Sequence, residues 1–319
     1  MLEKMIADLI KIDASLLALW QKIDAVSTFI LPCNSFHLKN ATVDKKRLTA
    51  FDYKLKAAAK RWLNLPQQAG AEILYMSHQT GGMNLMPINT VADASQIVHG
   101  LRLLISPSVG PLSERLLQSV VRRRLRRAAT PPEVAEYLNG SMRGDFANES
   151  SDISSTWTRL RAATTRLKTT TNVAWATDDN GVLQLTLNDS PLKARDTEKA
   201  LRCAIRDYYK RRLLAKPDQG KVFHVTSVAM APNHFMRPGD FTRFADWRFV
   251  HRARLDCVLL NGTKRFGNGD KRGRRCGHAN ETLPHVLNHC LATTWSQSRA
   301  ATMQSWIAWP TPSGRRPGP

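Results

Sequence analysis

The chain has 319 residues, and 47 Lys plus Arg against 26 Asp plus Glu leave a formal net charge of +21. Its 42% hydrophobic content supports packed cores in two or three units and excludes a wholly disordered chain, while no stretch approaches the roughly 20 apolar residues of a spanning helix and the charge-studded N-terminus MLEKMIADLIKID is no signal peptide. The excess of base calls for a polyanion, nucleic acid first and an anionic membrane second, and five scattered cysteines (Cys33, Cys203, Cys257, Cys276, Cys290) suit a reducing compartment rather than a disulfide framework.

Residues 2–31 carry Met5, Ile6, Leu9, Ile10, Leu16, Leu17, Trp20, Ile23 and Val26 at helical spacing. They predict one long amphipathic helix, or two with a break near Ala14, stopped by Pro32. The next helix sets Leu48, Phe51, Leu55 and Trp62 against a basic ridge of Lys45, Lys46, Arg47, Lys54, Lys56, Lys60 and Arg61, and ends at Asn64-Leu65-Pro66. Acids are nearly absent from this stretch, so the ridge suits a nucleic-acid backbone; a solvated helix face is the alternative. Gly81-Gly82 follows the apolar run Ile73–Met76 without the Lys-Ser/Thr of a phosphate loop, and predicts a tight turn.

Helices are expected over 89–105 and 113–128. The second places Arg115, Arg122, Arg123, Arg124, Arg126 and Arg127 around a stripe of Leu116, Leu117, Val120, Val121 and Leu125. Thr130-Pro131-Pro132 marks a domain boundary, and 139–155 reads as a loop. Trp157–Leu167 predicts a helix with Arg159, Arg161 and Arg166 outward. Val182–Leu187 predicts a strand after the Asp179-Asn180-Gly181 turn, 196–214 a helix buried along Leu201, Ile205, Tyr208 and Leu213, and Val222–Val228 a second strand. In 241–260, Phe241, Phe244, Trp247 and Phe249 interleave with Arg243, Arg248, Arg252 and Arg254. That pattern suits base stacking with phosphate pairing, or a core helix whose guanidiniums reach water.

Cys276, His285 and Cys290 form C-x8-H-x4-C, a thiolate and imidazole set of the kind zinc takes. A four-ligand Cys-Cys-His-Cys knuckle would need another cysteine where Gly273 stands. His278 or a water could supply the fourth position; otherwise the cysteines are ordinary thiols and His285 a surface histidine.

The run ETLPHVLNHC, with CGH and basic residues before it, resembles the zinc knuckle of non-LTR retrotransposon polyproteins of the site-specific type with a restriction-like endonuclease. WQKIDAVSTFILP (20–32), LKAAAKRWLNLP (55–66) and GGMNLMP (81–87) are similar to that family's reverse-transcriptase thumb. KPDQGKVF (216–223) and FTRFADWRFVHRARL (241–255) resemble its linker more loosely. The resemblance implies a mainly α chain: a helical thumb over 1–130, a mixed, mostly helical basic linker over 131–265 with a short strand pair, and a degenerate knuckle over 266–291; it stops after Cys290, and the tail over 292–319, ending in Pro, Gly and Arg, should be disordered. In the family, target-primed reverse transcription nicks one DNA strand and copies the element's RNA from its 3′ end.

Two departures from the family bear on activity. A palm needs an Asp-Asp pair for two metals. The only such pair, Asp178-Asp179, falls in the linker's Asp-Asp-Asn-Gly turn, and no endonuclease follows the knuckle. The expectation is therefore a noncatalytic fragment that grips RNA, DNA or an RNA–DNA hybrid. Contacts are expected from Lys54, Lys56, Lys60 and Arg61, from Arg122, Arg123 and Arg126, and from Arg243, Arg248, Arg252 and Arg254. Zinc at Cys276, His285 and Cys290 should be weak or absent because of Gly273, Mg²⁺ belongs only to the intact parent, and the resemblance implies a nuclear location. The alternative is a divergent metal-dependent nuclease or hydrolase using Asp178, Asp179 and a histidine such as His224. A peripheral membrane protein ranks last, because the apolar faces look like core stripes. The tail reads as frameshifted: one base out of register, Ala300–Trp309 admits the family's text after the knuckle, and the single-codon residues Met303 and Trp306 both fit.

Overall fold

The computed structural model describes residues 2–147, 153–236, 242–263 and 269–290. The chain is mainly α with one small antiparallel sheet. Among the described residues, no helix is long and apolar enough to cross a membrane. Phe241 and the tail after Cys290 lie outside the described residues.

The N-terminal stretch breaks after α1 (Leu2–Ala14) and resumes as α2 (Leu19–Ala25), which runs on through a π turn at Val26–Ile30. Met5, Leu9, Ile23 and Val26 enter the core. Ile10, Leu16 and Leu17 do not: the break at Ser15–Ala18 turns the two leucines to solvent. Pro32 does not end the helical path. It opens a 3-10 turn (Pro32–Asn34) that leads into α3 (Ser35–Asn40), where its missing N–H costs nothing at a first-turn position.

The basic helix α4 (Lys45–Trp62) is capped by Asp44, whose carboxylate accepts the Lys46 N–H at 2.8 Å. It buries Leu48, Phe51, Leu55 and Trp62 as the spacing predicts. The short helix α5 (Glu72–Tyr75) and the Gly81-Gly82 turn follow. Gly81 is left-handed at φ +88°, and a Cβ at Gly82 would sit 2.4 Å from the Met76 carbonyl oxygen. The turn delivers the chain to α6 (Ile88–Ile105), which is enclosed along most of its length. Asp52 of α4 accepts the Ile88 and Asn89 N–H groups at its start, at 2.8 and 3.1 Å.

Helix α7 (Gly110–Leu125) buries Leu117, Val121 and Leu125 but leaves Leu116 largely exposed, so the apolar stripe is narrower than expected. Thr130-Pro131-Pro132 is a cap rather than a packing break: the Glu133 carboxylate accepts the Thr130 N–H at 2.7 Å and α8 (Pro131–Leu138) begins there. Helix α9 (Thr156–Thr171) then lies across α6. A Cβ at Gly100 of α6 would come within 2.6 Å of Leu160 Cδ2, so any side chain there would force Leu160 to shift. One contiguous apolar core extends from Met5 to Leu255 across the expected boundary.

Asp178-Asp179-Asn180-Gly181 closes a hairpin between β1 (Val173–Thr177) and β2 (Leu183–Leu187), with a two-residue β3 (Ser190–Pro191) beside it. The partner of the expected strand therefore lies upstream of the turn. Val222–Val228 is no strand; it contains the short helix α11 (Phe223–Thr226), because only Phe223 of its run is fully buried while Val225 and Val228 face solvent. Helix α10 (Thr197–Leu214) buries Leu201, Ile205 and Leu213, with Tyr208 half-buried.

Candidate nucleic-acid interface and metal cluster

On α4, Arg47, Lys54 and Arg61 are seven residues apart, so they share one face at intervals of about 10 Å. Lys46, Arg47 and Lys54 are exposed and make no ion pair among the described residues. Lys56 lies with its Nζ 4.4 Å from the centre of the Tyr53 ring, which is itself exposed. The other cations of the ridge are held within the fold, two of them by acids distant in the sequence and one by backbone carbonyls. Arg61 pairs with Asp13 of α1 at 2.6 Å, and Lys45 with buried Asp93 of α6 at 2.8 Å. Lys60 donates to the Gln67 and Ala69 carbonyls at 2.7 and 2.6 Å, and burial lowers its pKa. Lys60 and Arg61 thus tie the fold together, and Lys46, Arg47, Lys54 and Lys56 remain as the outward-facing set.

A second set stands at the C-terminal end of α7. Arg122 and Arg123 are exposed with no ion pair among the described residues, and exposed Arg126 caps the helix in the left-handed region at φ +59°. Their neighbours are occupied: Arg124 donates to the Phe146 carbonyl at 2.6 Å, and Arg127 pairs with Glu133 and Asp145. Arg166 is exposed, as expected, and pairs from there with buried Asp93 at 2.7 Å.

The aromatic and basic segment forms a helix with one buried side. In α12 (Phe244–Arg254) Trp247 and His251 are fully buried, with the rings 4.4 Å apart. Burial, with Arg254 nearby, holds the His251 pKa well below its ordinary value. Arg254 is buried too, donating to Asn233 Oδ1 at 2.7 Å and the Pro232 carbonyl at 2.6 Å, and burial lowers its pKa to about 10. Arg248 donates to the Trp62 carbonyl at 3.0 Å, Arg243 pairs with Asp246, and the Arg252 Nε is buried. Aromatic–arginine alternation reads alike for a stacking platform and for a core helix with cationic side chains; here Trp247, His251 and Arg254 are buried, while Arg243 and Phe244 are exposed.

Asp178 is consumed by its own turn: Oδ1 accepts the Asn180 and Val182 N–H groups at 3.0 and 2.8 Å. His224 Nε2 lies 3.2 Å from the Leu214 carbonyl oxygen. Among the described residues these three side chains form no metal-sized cluster.

Cys276, His285 and Cys290 do form one. Their ligand atoms all lie within 4.8 Å of one another, with Cys276 Sγ 3.3 Å from His285 Nε2, and the cluster could hold a metal ion. The scaffold explains the convergence. The buried Glu281 carboxylate holds Arg274 at 2.9 Å and the Asn261 N–H at 2.7 Å, while the Arg272–Asn280 bridge closes the loop. Gly277 turns the chain at φ +68° just after Cys276. The His278 and Ala279 N–H groups, then His285, pull the Cys276 thiol down to about 6. His278 serves through its backbone: its ring is exposed and stands outside the cluster. Gly273 faces the ligands, and a Cβ there would lie 2.8 Å from Cys276 Sγ and 3.5 Å from His285 Nε2. A side chain at 273 therefore points into the cluster, at the place where the four-ligand pattern wants a donor.

No protein-family model matches the chain, and no curated protein is significantly similar to it.

Proposed function

We propose that this protein is a nucleic-acid-binding piece of a non-LTR retrotransposon polyprotein, with thumb-like, linker and degenerate knuckle regions. In that reading it grips RNA–DNA hybrid or target DNA during target-primed reverse transcription and works in the nucleus. The observation that carries the binding reading is the exposed set Lys46, Arg47 and Lys54 on α4, with Arg122 and Arg123 on α7, none with an ion pair among the described residues, in a chain of net charge +21. Cations left unpaired by the fold neutralise phosphates and release counterions, which favours duplex nucleic acid with little regard to sequence. The segment resemblances over 20–32, 55–66 and 81–87 and the Cys276–Cys290 element support the family reading.

Cys276, His285 and Cys290 would hold zinc through two thiolates and an imidazole, and zinc so bound would fix the 273–290 loop. Without a donor at Gly273, that hold is weaker than four protein ligands would give.

Gel-shift or fluorescence titration against duplex DNA and RNA–DNA hybrid across a salt series tests the reading. The wild type should bind duplex of any sequence and weaken steeply with salt, and K46A/R47A/K54A should bind more weakly with a shallower slope. An unchanged slope in that variant would remove α4 from the interface, and the absence of binding at low salt would overturn the reading.

A further inference from the structure

Away from the two basic helix faces, α2 with its π turn, α3, the 78–86 turn, α6 and α10 enclose a cleft of about 490 Å³. That size lies in the range of small-molecule sites. Its lining combines three cations, Lys39, Arg202 and Arg206, with the hydroxyls of Ser27, Ser35 and Ser95. Two carboxylates, Asp24 and Glu198, also reach it. Glu198 is shared, 3.2 Å from Arg202 and 3.6 Å from Arg102, so its charge is already answered.

Arg206 is in a different position. It is half-buried, its Nε is shielded from solvent without a hydrogen-bond partner, and it makes no ion pair among the described residues. Lys39 likewise has no ion pair among the described residues. Burial lowers the Arg206 pKa, and the neighbouring Arg202 adds to it, against the opposing pull of Cys203 and Asp207. Leu31, Pro32, Met86 and Val91 give the cleft an apolar wall, and Asn84 stands beside it at the left-handed end of the 78–86 turn, φ +56°.

A half-buried guanidinium that makes no ion pair among the described residues, a nearby ammonium and hydroxyl groups suit the oxygens of a phosphate dianion, and the apolar wall suits a flat organic body attached to it. We propose that this cleft binds a phosphorylated nucleoside, either a free nucleoside monophosphate or the phosphorylated end of a strand, with Arg206 and Lys39 on the phosphate. The assignment does not depend on the helix-face reading, because the residues are different.

Isothermal titration of the full chain at fixed ionic strength with AMP, adenosine, inorganic phosphate, and a dinucleotide with and without a 5′-phosphate tests it. AMP should bind about tenfold or more tighter than adenosine or phosphate alone. R206Q should lower AMP affinity by about tenfold, whereas K46A/R47A/K54A should leave it unchanged. Lys39→Glu, at a half-exposed position, should lower it similarly and decides the matter if R206Q does not fold. Tighter binding of the 5′-phosphorylated dinucleotide than of AMP would assign the site to strand ends; the reverse would assign it to free nucleotide. Equal affinity for AMP and adenosine, equal affinity for AMP and phosphate, no binding of AMP, or wild-type affinity in a folded variant of either cation would overturn the proposal.

Discussion

Asp52 is a half-buried carboxylate where α4 meets the start of α6. Burial raises its pKa to about 6 even though the Ile88 and Asn89 N–H groups and Lys45 pull the other way. The folded state therefore holds a proton that the unfolded state, titrating near 3.8, has already released. By linkage, this residue makes stability fall as pH rises through the window from about 4 to about 6. Asp52→Asn should flatten the pH dependence of stability over that window, measured by urea melts at each pH; an unchanged difference between variant and wild type would show that Asp52 titrates normally. Gly273 offers a second single-residue test. Its absent Cβ faces the cluster, so Gly273→Cys should complete a four-ligand set and tighten Co²⁺ or Zn²⁺ binding by about tenfold or more. The thiolate-to-cobalt absorption of the variant should exceed that of wild type, and equal spectra would mean that the new thiolate does not ligate.

Among the elements, the crossing of α6 and α9 depends on the smallest side chain. Gly100→Val should drive a branched side chain into Leu160 and destabilise the protein by about 1–3 kcal/mol, read as a lower urea midpoint; Gly100→Ala should do so more mildly. The helices themselves were legible in the sequence wherever an apolar face repeats: Leu48, Phe51, Leu55 and Trp62 predict the buried side of α4, and Leu201, Ile205 and Leu213 that of α10. What the sequence hid was long-range. Nothing near Lys60 or Arg61 announces that Asp13 and two carbonyls will occupy them, and nothing near Arg166 announces Asp93. The apolar text of Val222–Val228 looks like a strand because alternation over a few residues cannot tell one buried anchor from a buried face. The metal cluster was legible through its Cys and His spacing, but the roles of Gly277 and Glu281 in shaping it were not. The cleft around Arg206 has no sequence signal, because five separated segments build it.

At the scale of the whole molecule, the basic excess is divided into two kinds. One part is partnered within the fold, with Lys45 and Arg166 on Asp93, Lys216 on Glu72 at 2.7 Å, and Arg254 on Asn233. The other part remains outside. This division sets how far the salt slope should change. For B-DNA each phosphate contact contributes about 0.9 to the slope, so removing Lys46, Arg47 and Lys54 should reduce it by about 2–3 if all three touch phosphate. Replacing the buried Arg254 should instead lower stability and leave the slope of the folded fraction unchanged.

The enclosure of α6 also has a consequence for synthesis. Its partners are α3 and α4, made before it, and α9 and α10, made well after. While the ribosome is still translating the stretch up to Thr156, one flank of α6, including the bare strip at Gly100 and buried Ile97, has no helix to cover it. The nascent chain therefore carries an apolar groove through that interval, and translation speed over residues 106–155 governs how long the groove is open to chaperones or to other nascent chains.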